Sequence, residues 1–141
     1  MGTDINQLVH VEEVINKYNL EIISMTDYAK WTDVIDKICS CQYILSESLH
    51  GLIVAETYGI PNVWVDFMDH PEYWEFKFQD FYESIGKNEK IIKIRTSDDL
   101  ENSITVTNNW KKGNIDYEKL VSFYPFDIKS NRIKKGKRDG E

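Results

Sequence analysis

The chain has 141 residues and a mass of 16.6 kDa, which fits one domain of ordinary size and not two. Hydrophobic residues make up 41% and charged residues 29%, a balance that favours a packed core and excludes wholesale disorder. No apolar run approaches the ~20 residues of a membrane-spanning helix. The first residues lack the basic start and apolar stretch of a secretory signal, so we expect a cytoplasmic protein.

The net charge of −7 is unevenly distributed. Residues 129–141 hold six basic and two acidic residues, a charge of +4, which leaves −11 on residues 1–128. Because an acidic surface repels nucleic acid, we expect no nucleic-acid partner for that part of the chain. We predict one domain over residues 1–128 and a basic, flexible tail over 129–141. This tail is either a solvated terminus or a peripheral contact with an anionic membrane.

Hydrophobic periodicity alternates between helical and strand patterns along the chain. The predicted elements are a helix at 5–19, a strand at 20–25, a helix at 31–39, a strand at 42–46, a helix at 48–58, a strand at 62–66, a helix at 72–85, a strand at 90–94, a short helix from 97 and a helix at 116–123. Strands alternating with helices through short connections indicate an α/β fold. We predict a Rossmann-like parallel sheet flanked by helices.

The two cysteines, Cys39 and Cys41, are separated by a single residue. A disulfide across so small a ring would be strained, which favours two reduced thiols in a cytoplasmic protein. A metal site at this pair would need further ligands nearby, and the surrounding sequence offers none. We therefore expect neither a metal nor a resident cofactor.

The most informative segment begins where the second predicted strand ends and turns directly into a helix. Parallel sheets bind ligands at the carboxyl ends of their strands, and a helix N-terminus there attracts phosphate or carboxylate. Ser46 and Ser48 supply cap hydroxyls for this helix, and Gly51 lets a ligand approach the backbone closely. His50 falls in the first helical turn, where it either caps and packs or else binds an anion and moves a proton.

Three stretches of the sequence resemble the polysaccharide pyruvyl transferase family. The first is Ser46-Glu-Ser-Leu-His-Gly-Leu-Ile-Val-Ala-Glu-Thr-Tyr-Gly-Ile-Pro61, which is similar to the family signature. The second is Ile38-Cys-Ser-Cys-Gln-Tyr-Ile-Leu45, which precedes it, and the third is Lys77-Phe-Gln-Asp-Phe-Tyr-Glu-Ser-Ile-Gly86. The resemblance covers roughly residues 20 to 125 and is more specific than a lone glycine motif.

The resemblance implies a GT-B-like architecture of two Rossmann-type halves with a cleft between them. It implies transfer of the enolpyruvyl unit of phosphoenolpyruvate onto two hydroxyls of a saccharide acceptor, giving a cyclic ketal and phosphate. By the same resemblance His50 lies at the phosphoenolpyruvate site, and Leu49 contributes through its backbone. Family members are well over twice as long, so we expect this chain to be the C-terminal half, with a missing N-terminal half or self-association completing it.

Other candidates are weaker. Arg95, just beyond the fourth predicted strand, either grips an anion or forms a surface pair with Asp98 or Asp99. His70 either lines the cleft or marks the entry to the next helix, and Asp66 is a better candidate for a general base than Glu56, which lies deeper in its helix. The aromatic residues from 73 to 82 either form core or stack on sugar rings.

Two other functions stay open at this point. One is a half-domain of a nucleotide-sugar glycosyltransferase on the same GT-B plan, although the paired glycines and helix glutamate expected for such donors are missing from the sequence. The other is a half-domain that binds a ligand or partner without catalysis. The identity of the acceptor sugar is not encoded in any motif of this sequence.

Overall fold

A computed structural model describes residues 8–24, 29–116 and 118 of the chain. Its helices and strands, in chain order, are α1 (Val11–Tyr18), α2 (Trp31–Cys39), β1 (Ile44–Ser46), α3 (Leu49–Thr57), β2 (Asn62–Asp66), a 3₁₀ turn (Glu72–Glu75), α4 (Phe76–Ser84), β3 (Ile92–Lys93), α5 (Ser97–Val106) and a second 3₁₀ turn (Thr107–Asn109).

The strands form a parallel sheet in the order β1-β2-β3. Ser46 at the end of β1 pairs with Trp64, and Asp66 at the end of β2 pairs with Lys93. Helix α3 connects β1 to β2, and α4 connects β2 to β3, as parallel pairing requires. The predicted Rossmann-like α/β class is confirmed.

Both faces of the sheet are covered by helices, and the alternation of side chains along β2 shows how. Val63 and Val65 point into a cluster formed with α1 and α5, whereas Trp64 points into a cluster formed with α3 and α4. A third cluster joins α2, α3 and Ile44 of β1. All five residues of β2 are buried, which explains the almost continuous apolar character of that strand.

The predicted strand at 20–25 is wrong over residues 20–24, which form no ladder with the sheet. Its apolar residues serve opposite faces instead: Leu20 packs against the α1–α5 cluster, and Ile23 packs against the cluster around α2. Residues 20–24 thus contribute side chains to both faces without pairing with a strand. Residue 25 lies outside the described residues.

Several predicted boundaries shift for local reasons. Helix α1 begins at Val11, after His10 in the left-handed region, so the predicted helix is wrong over residues 8–10, and residues 5–7 lie outside the described part. The predicted helix at 72–85 starts as a 3₁₀ turn, and the short helix from 97 follows a capping box between Thr96 and Asp99 and extends to Val106. The predicted helix at 116–123 lies outside the described residues except for 116 and 118, and the predicted tail at 129–141 lies wholly outside them.

The fully buried carboxylate of Glu56, near the end of α3, accepts hydrogen bonds from residues later in the chain and holds them against the sheet and its helices. Glu56 accepts hydrogen bonds from Lys87 Nζ at 2.8 Å and from Trp110 Nε1 at 2.8 Å. Asn62 Nδ2 at 3.2 Å and the backbone N–H of Gly113 at 3.1 Å complete the set of donors. The Glu56 side chain is thus the shared acceptor for four donors from three parts of the chain, which is a structural role.

None of the helices in the described residues is both long enough and apolar enough to span a lipid bilayer.

Candidate functional site

The signature segment lies at the carboxyl edge of the sheet, as predicted. Ser46 ends β1, Ser48 is the N-cap of α3, and His50 is the second residue of that helix. The unpaired N–H groups of the first helical turn therefore point toward the same edge as the strand ends.

The serine hydroxyls act differently from the prediction that both would cap the helix. Ser48 makes no side-chain capping bond. Ser46 Oγ instead accepts from the backbone N–H of Ser48 at 3.0 Å and donates to the Ser48 carbonyl at 2.9 Å. A Cβ on Gly51 would lie 2.6 Å from Ser46 Oγ, so the glycine is needed for contact with this serine. The pair locks the turn that presents His50.

An open cleft of about 470 Å³ lies in front of this turn. The loop after β2 and the start of α4 form its opposite wall. Its lining residues are Glu47, Ser48, Leu49, His50, Met68, His70, Trp74 and Lys77. Of the predicted site residues, Ser48, Leu49 and His50 line this cavity together with His70, whereas Ser46, Gly51 and Arg95 do not.

His50 is half-buried in this cleft, facing a cation. Burial lowers the pKa of its imidazole below 6.5, and the positive charge of Lys77 lowers it further. The free site therefore holds a neutral His50 beside a charged lysine at a helix N-terminus. Lysine and helix dipole both favour an anion in this position.

The loop after β2 is organised by Asp66, whose side chain is fully buried. Its Oδ1 accepts from the Met68 N–H at 3.0 Å and lies 2.8 Å from His70 Nδ1, while its Oδ2 accepts from the His70 N–H at 3.0 Å. Glu47 adds a clamp from β1, because its Oε1 accepts from the N–H groups of Phe67 and Met68. The loop is therefore held from both strand ends.

An aromatic column extends from His70 into the core. The His70 ring stacks on Trp74 with 3.8 Å between centroids, Trp74 contacts Phe78 at 4.6 Å, and Phe78 stacks on Trp64 at 4.6 Å. Lys77 Nζ lies over the Trp74 ring, 4.7 Å from its centroid. Phe78 is core and Trp74 lines the cleft, so stacking on a sugar ring stays a prediction for Trp74.

One group of side chains could hold a metal ion. Oxygen and nitrogen atoms of Glu47, Asp66 and His70 lie within 4.8 Å of one another. Both carboxylates already accept backbone N–H bonds, so the cluster is satisfied without a cation. The geometry favours an internally hydrogen-bonded cluster.

Arg95 lies beside the cleft and does not line it. Its Nη2 donates to Asp69 Oδ1 at 2.7 Å, and its Nη1 donates to the Ile94 carbonyl at 3.2 Å. The predicted surface pair with Asp98 or Asp99 is replaced by this ion pair, although the Arg95 backbone N–H does donate to Asp99. Arg95 thus supports the loop that carries His70 from its outer side.

Sequence reasoning missed Lys77 and Glu47 as site residues. Lys77 stands in the third stretch of family resemblance, three positions after Trp74, so helical spacing could have linked them. Glu47 gave no signal, because its partners are backbone groups 20 and 21 positions further along the chain.

Comparison with protein families agrees with this geometry. The chain matches the polysaccharide pyruvyl transferase family over residues 2–70, just under half of its length. The matched range includes β1, the Ser46–Gly51 turn, α3 and the Asp66–His70 loop. Comparison with curated proteins and with solved structures gave no match.

Proposed function

We propose that this chain acts in polysaccharide pyruvylation, moving the pyruvyl group of phosphoenolpyruvate onto two hydroxyls of a sugar. The family match over residues 2–70 supports the general function. The observation that carries the specific proposal is the joint presence of His50 and Lys77 in one cleft at the N-terminus of α3. The match gives no support to the glycosyltransferase or to the non-catalytic binding domain.

The cleft suits the charge of phosphoenolpyruvate. Its phosphate and carboxylate are anions that a lysine, a helix N-terminus and a neutral imidazole N–H can all bind. Ser48, Leu49 and Gly51 offer backbone groups of the first helical turn, with Ser46 fixing their position and Arg95 steadying the opposite loop. Bound phosphate would favour proton uptake by His50, which then gives its proton to the leaving phosphate or the methylene carbon.

We further propose that this chain is the C-terminal portion of a two-part, GT-B-like site, as the family resemblance implies. Apolar side chains in the segment facing the cleft are well exposed: Met68 by 54%, Tyr73 by 82% and Phe76 by 72%. Such a surface suits a missing N-terminal half or a second copy of the chain. We place the activity in the cytoplasm, with the basic tail as the means of any membrane contact.

Phosphoenolpyruvate binding by the full chain tests the donor site. Binding is followed through the ³¹P resonance of phosphoenolpyruvate for the wild type, His50→Ala, Lys77→Met and the control His10→Ala. His10 is exposed, pairs with Glu13 and lies outside the cleft. We expect His50→Ala and Lys77→Met each to weaken binding by about tenfold, the loss of one charge-assisted hydrogen bond.

Transfer itself is followed as phosphate release with a panel of mono- and disaccharide acceptors. We expect His50→Ala to lower the rate by about 10²-fold or more. A wild-type chain that does not bind phosphoenolpyruvate would contradict the proposal. Equal binding and turnover by His50→Ala would remove His50 from the donor site.

A further inference from the structure

Ketal formation from phosphoenolpyruvate moves two protons, and this sets the number of groups the cleft must supply. Two C–O bonds form between C2 and the acceptor oxygens, and the bond from C2 to the phosphate oxygen breaks. The methylene carbon gains one proton and becomes methyl, while the leaving phosphate takes the other. Both protons come from the acceptor hydroxyls, so a group is needed that accepts a proton on the acceptor side.

His70 has the geometry of such a group. Its Nδ1 lies 2.8 Å from Asp66 Oδ1, and an ionised carboxylate accepts hydrogen bonds only. Nδ1 therefore carries the hydrogen, and Nε2 carries the lone pair. Nε2 has no hydrogen-bond partner within the described part of the chain, the side chain is 29% exposed, and the residue lines the cleft.

The ring is held more firmly than a surface histidine needs to be. Asp66 is fully buried and binds both the ring and the backbone N–H of His70, while Trp74 covers one ring face at 3.8 Å. Trp74 is fixed in turn by the column that leads to Trp64. A ring fixed at one nitrogen and one face, with the other nitrogen toward a cavity, is preorganised for proton transfer.

We infer that His70 is the general base that takes the proton of the attacking acceptor hydroxyl, with Asp66 as its positioning residue. This inference rests on the proposed function. We place the donor anion between Lys77 and the α3 N-terminus, which leaves the part of the cleft beside the β2 loop for the acceptor sugar. His70 Nε2 accepts the hydroxyl proton as the C2–O bond forms, and the Asp66 carboxylate stabilises the imidazolium through Nδ1. The proton then passes to the departing phosphate.

Two measurements on the full-length chain test the pair. The first is the tautomer of His70, read from ¹⁵N chemical shifts of its ring at pH 8. We expect the Nδ1–H form in the wild type and the Nε2–H form in Asp66→Asn, whose amide can donate to Nδ1. An Nε2–H wild type would overturn the inference and leave the proposed function standing.

The second measurement compares His70→Gln and Asp66→Asn with the control His10→Gln. Phosphoenolpyruvate binding is expected to stay within about threefold of the wild type, while phosphate release with the saccharide panel falls about 10²- to 10⁴-fold. Loss of the acidic limb of the pH–rate profile in His70→Gln separates a base from a structural residue. A Glu47 oxygen lies within 4.8 Å of a His70 ring nitrogen, and Lys77 lies over Trp74, which stacks on His70, so Glu47→Gln and Lys77→Met profiles are recorded and are expected to keep that limb.

The outcomes separate the two claims. A wild type that neither binds nor turns over phosphoenolpyruvate ends the proposed function, and the base assignment with it. A wild type that is active while His70→Gln is equally active, or loses donor binding, overturns only the inference. Donor binding without phosphate release on any acceptor of the panel counts against pyruvyl transfer, and against the base assignment with it.

Discussion

Replacing Glu56 by Gln is a sharp test of how the later chain is held in place. The substitution keeps the shape of the side chain and removes its charge. Lys87, whose side chain is only 11% exposed, then keeps only its pair with Glu89 at 3.6 Å, and the new amide N–H₂ faces at least one of the donors that Glu56 had accepted. Removing one partner of a buried ion pair costs up to about 3–5 kcal/mol, a large part of the ~5–15 kcal/mol typical of a whole domain.

A double-mutant cycle with Lys87→Met shows whether the charge pair is the cause. The free energy of unfolding is measured in urea by far-ultraviolet circular dichroism for the wild type, both single variants and the double variant. We expect Glu56→Gln and Lys87→Met each to destabilise, and the double variant to cost at least ~1 kcal/mol less than their sum. Additivity within about 0.5 kcal/mol, or a Glu56→Gln cost below ~1 kcal/mol, would refute the reasoning.

Two further predictions concern the turn and the imidazole of the cleft. Gly51→Ala should destabilise by about 1–3 kcal/mol through overpacking, since its Cβ would lie 2.6 Å from Ser46 Oγ, and Ser46→Ala should relieve part of that cost in the urea titration. Because the pKa of His50 is lowered on folding, the unfolded chain binds more protons just below pH 6.5, and stability falls as the pH drops through this window. His50→Gln should flatten that decrease in Tm between pH 7 and pH 5. Lys77→Met should raise the His50 titration midpoint measured by NMR. Unchanged curves in both experiments would contradict a pKa of His50 that is lowered by burial and by Lys77.

The elements with the clearest local pattern were predictable from the sequence. The bounds of α2 and β2 agree with the predicted ranges, because an amphipathic stripe and a short apolar run between turn residues are local signals. The strand predicted at 20–25 had a similar apolar composition and still failed over 20–24, since strand formation requires a neighbouring edge to pair with. Whether Leu20 and Ile23 face one cluster or two depends on packing that no local window contains.

The residues of the site likewise divide into those that the local sequence identifies and those that depend on contacts far along the chain. His50 was identifiable because its position after a strand and at a helix start is encoded within a few residues. The roles of Glu47 and Glu56 were not, since Glu47 binds a loop 20 positions away and Glu56 binds Trp110, 54 positions away. A buried carboxylate such as that of Glu56 resembles a candidate general base in the sequence, and only the positions of its hydrogen-bond donors in the fold show that its role is structural.

The enclosure of α3 limits where this protein can diversify. From Leu49 to Glu56 every residue is buried except His50, which is half-buried. Substitutions at the buried residues of α3 beside His50 would disrupt core packing before they could change which ligand the cleft binds. Met68, Tyr73 and Phe76, in the segment opposite α3, are exposed, so their substitution does not disrupt core packing. Variation in acceptor preference among related chains should therefore accumulate in that segment, while the wall that carries the imidazole stays nearly invariant.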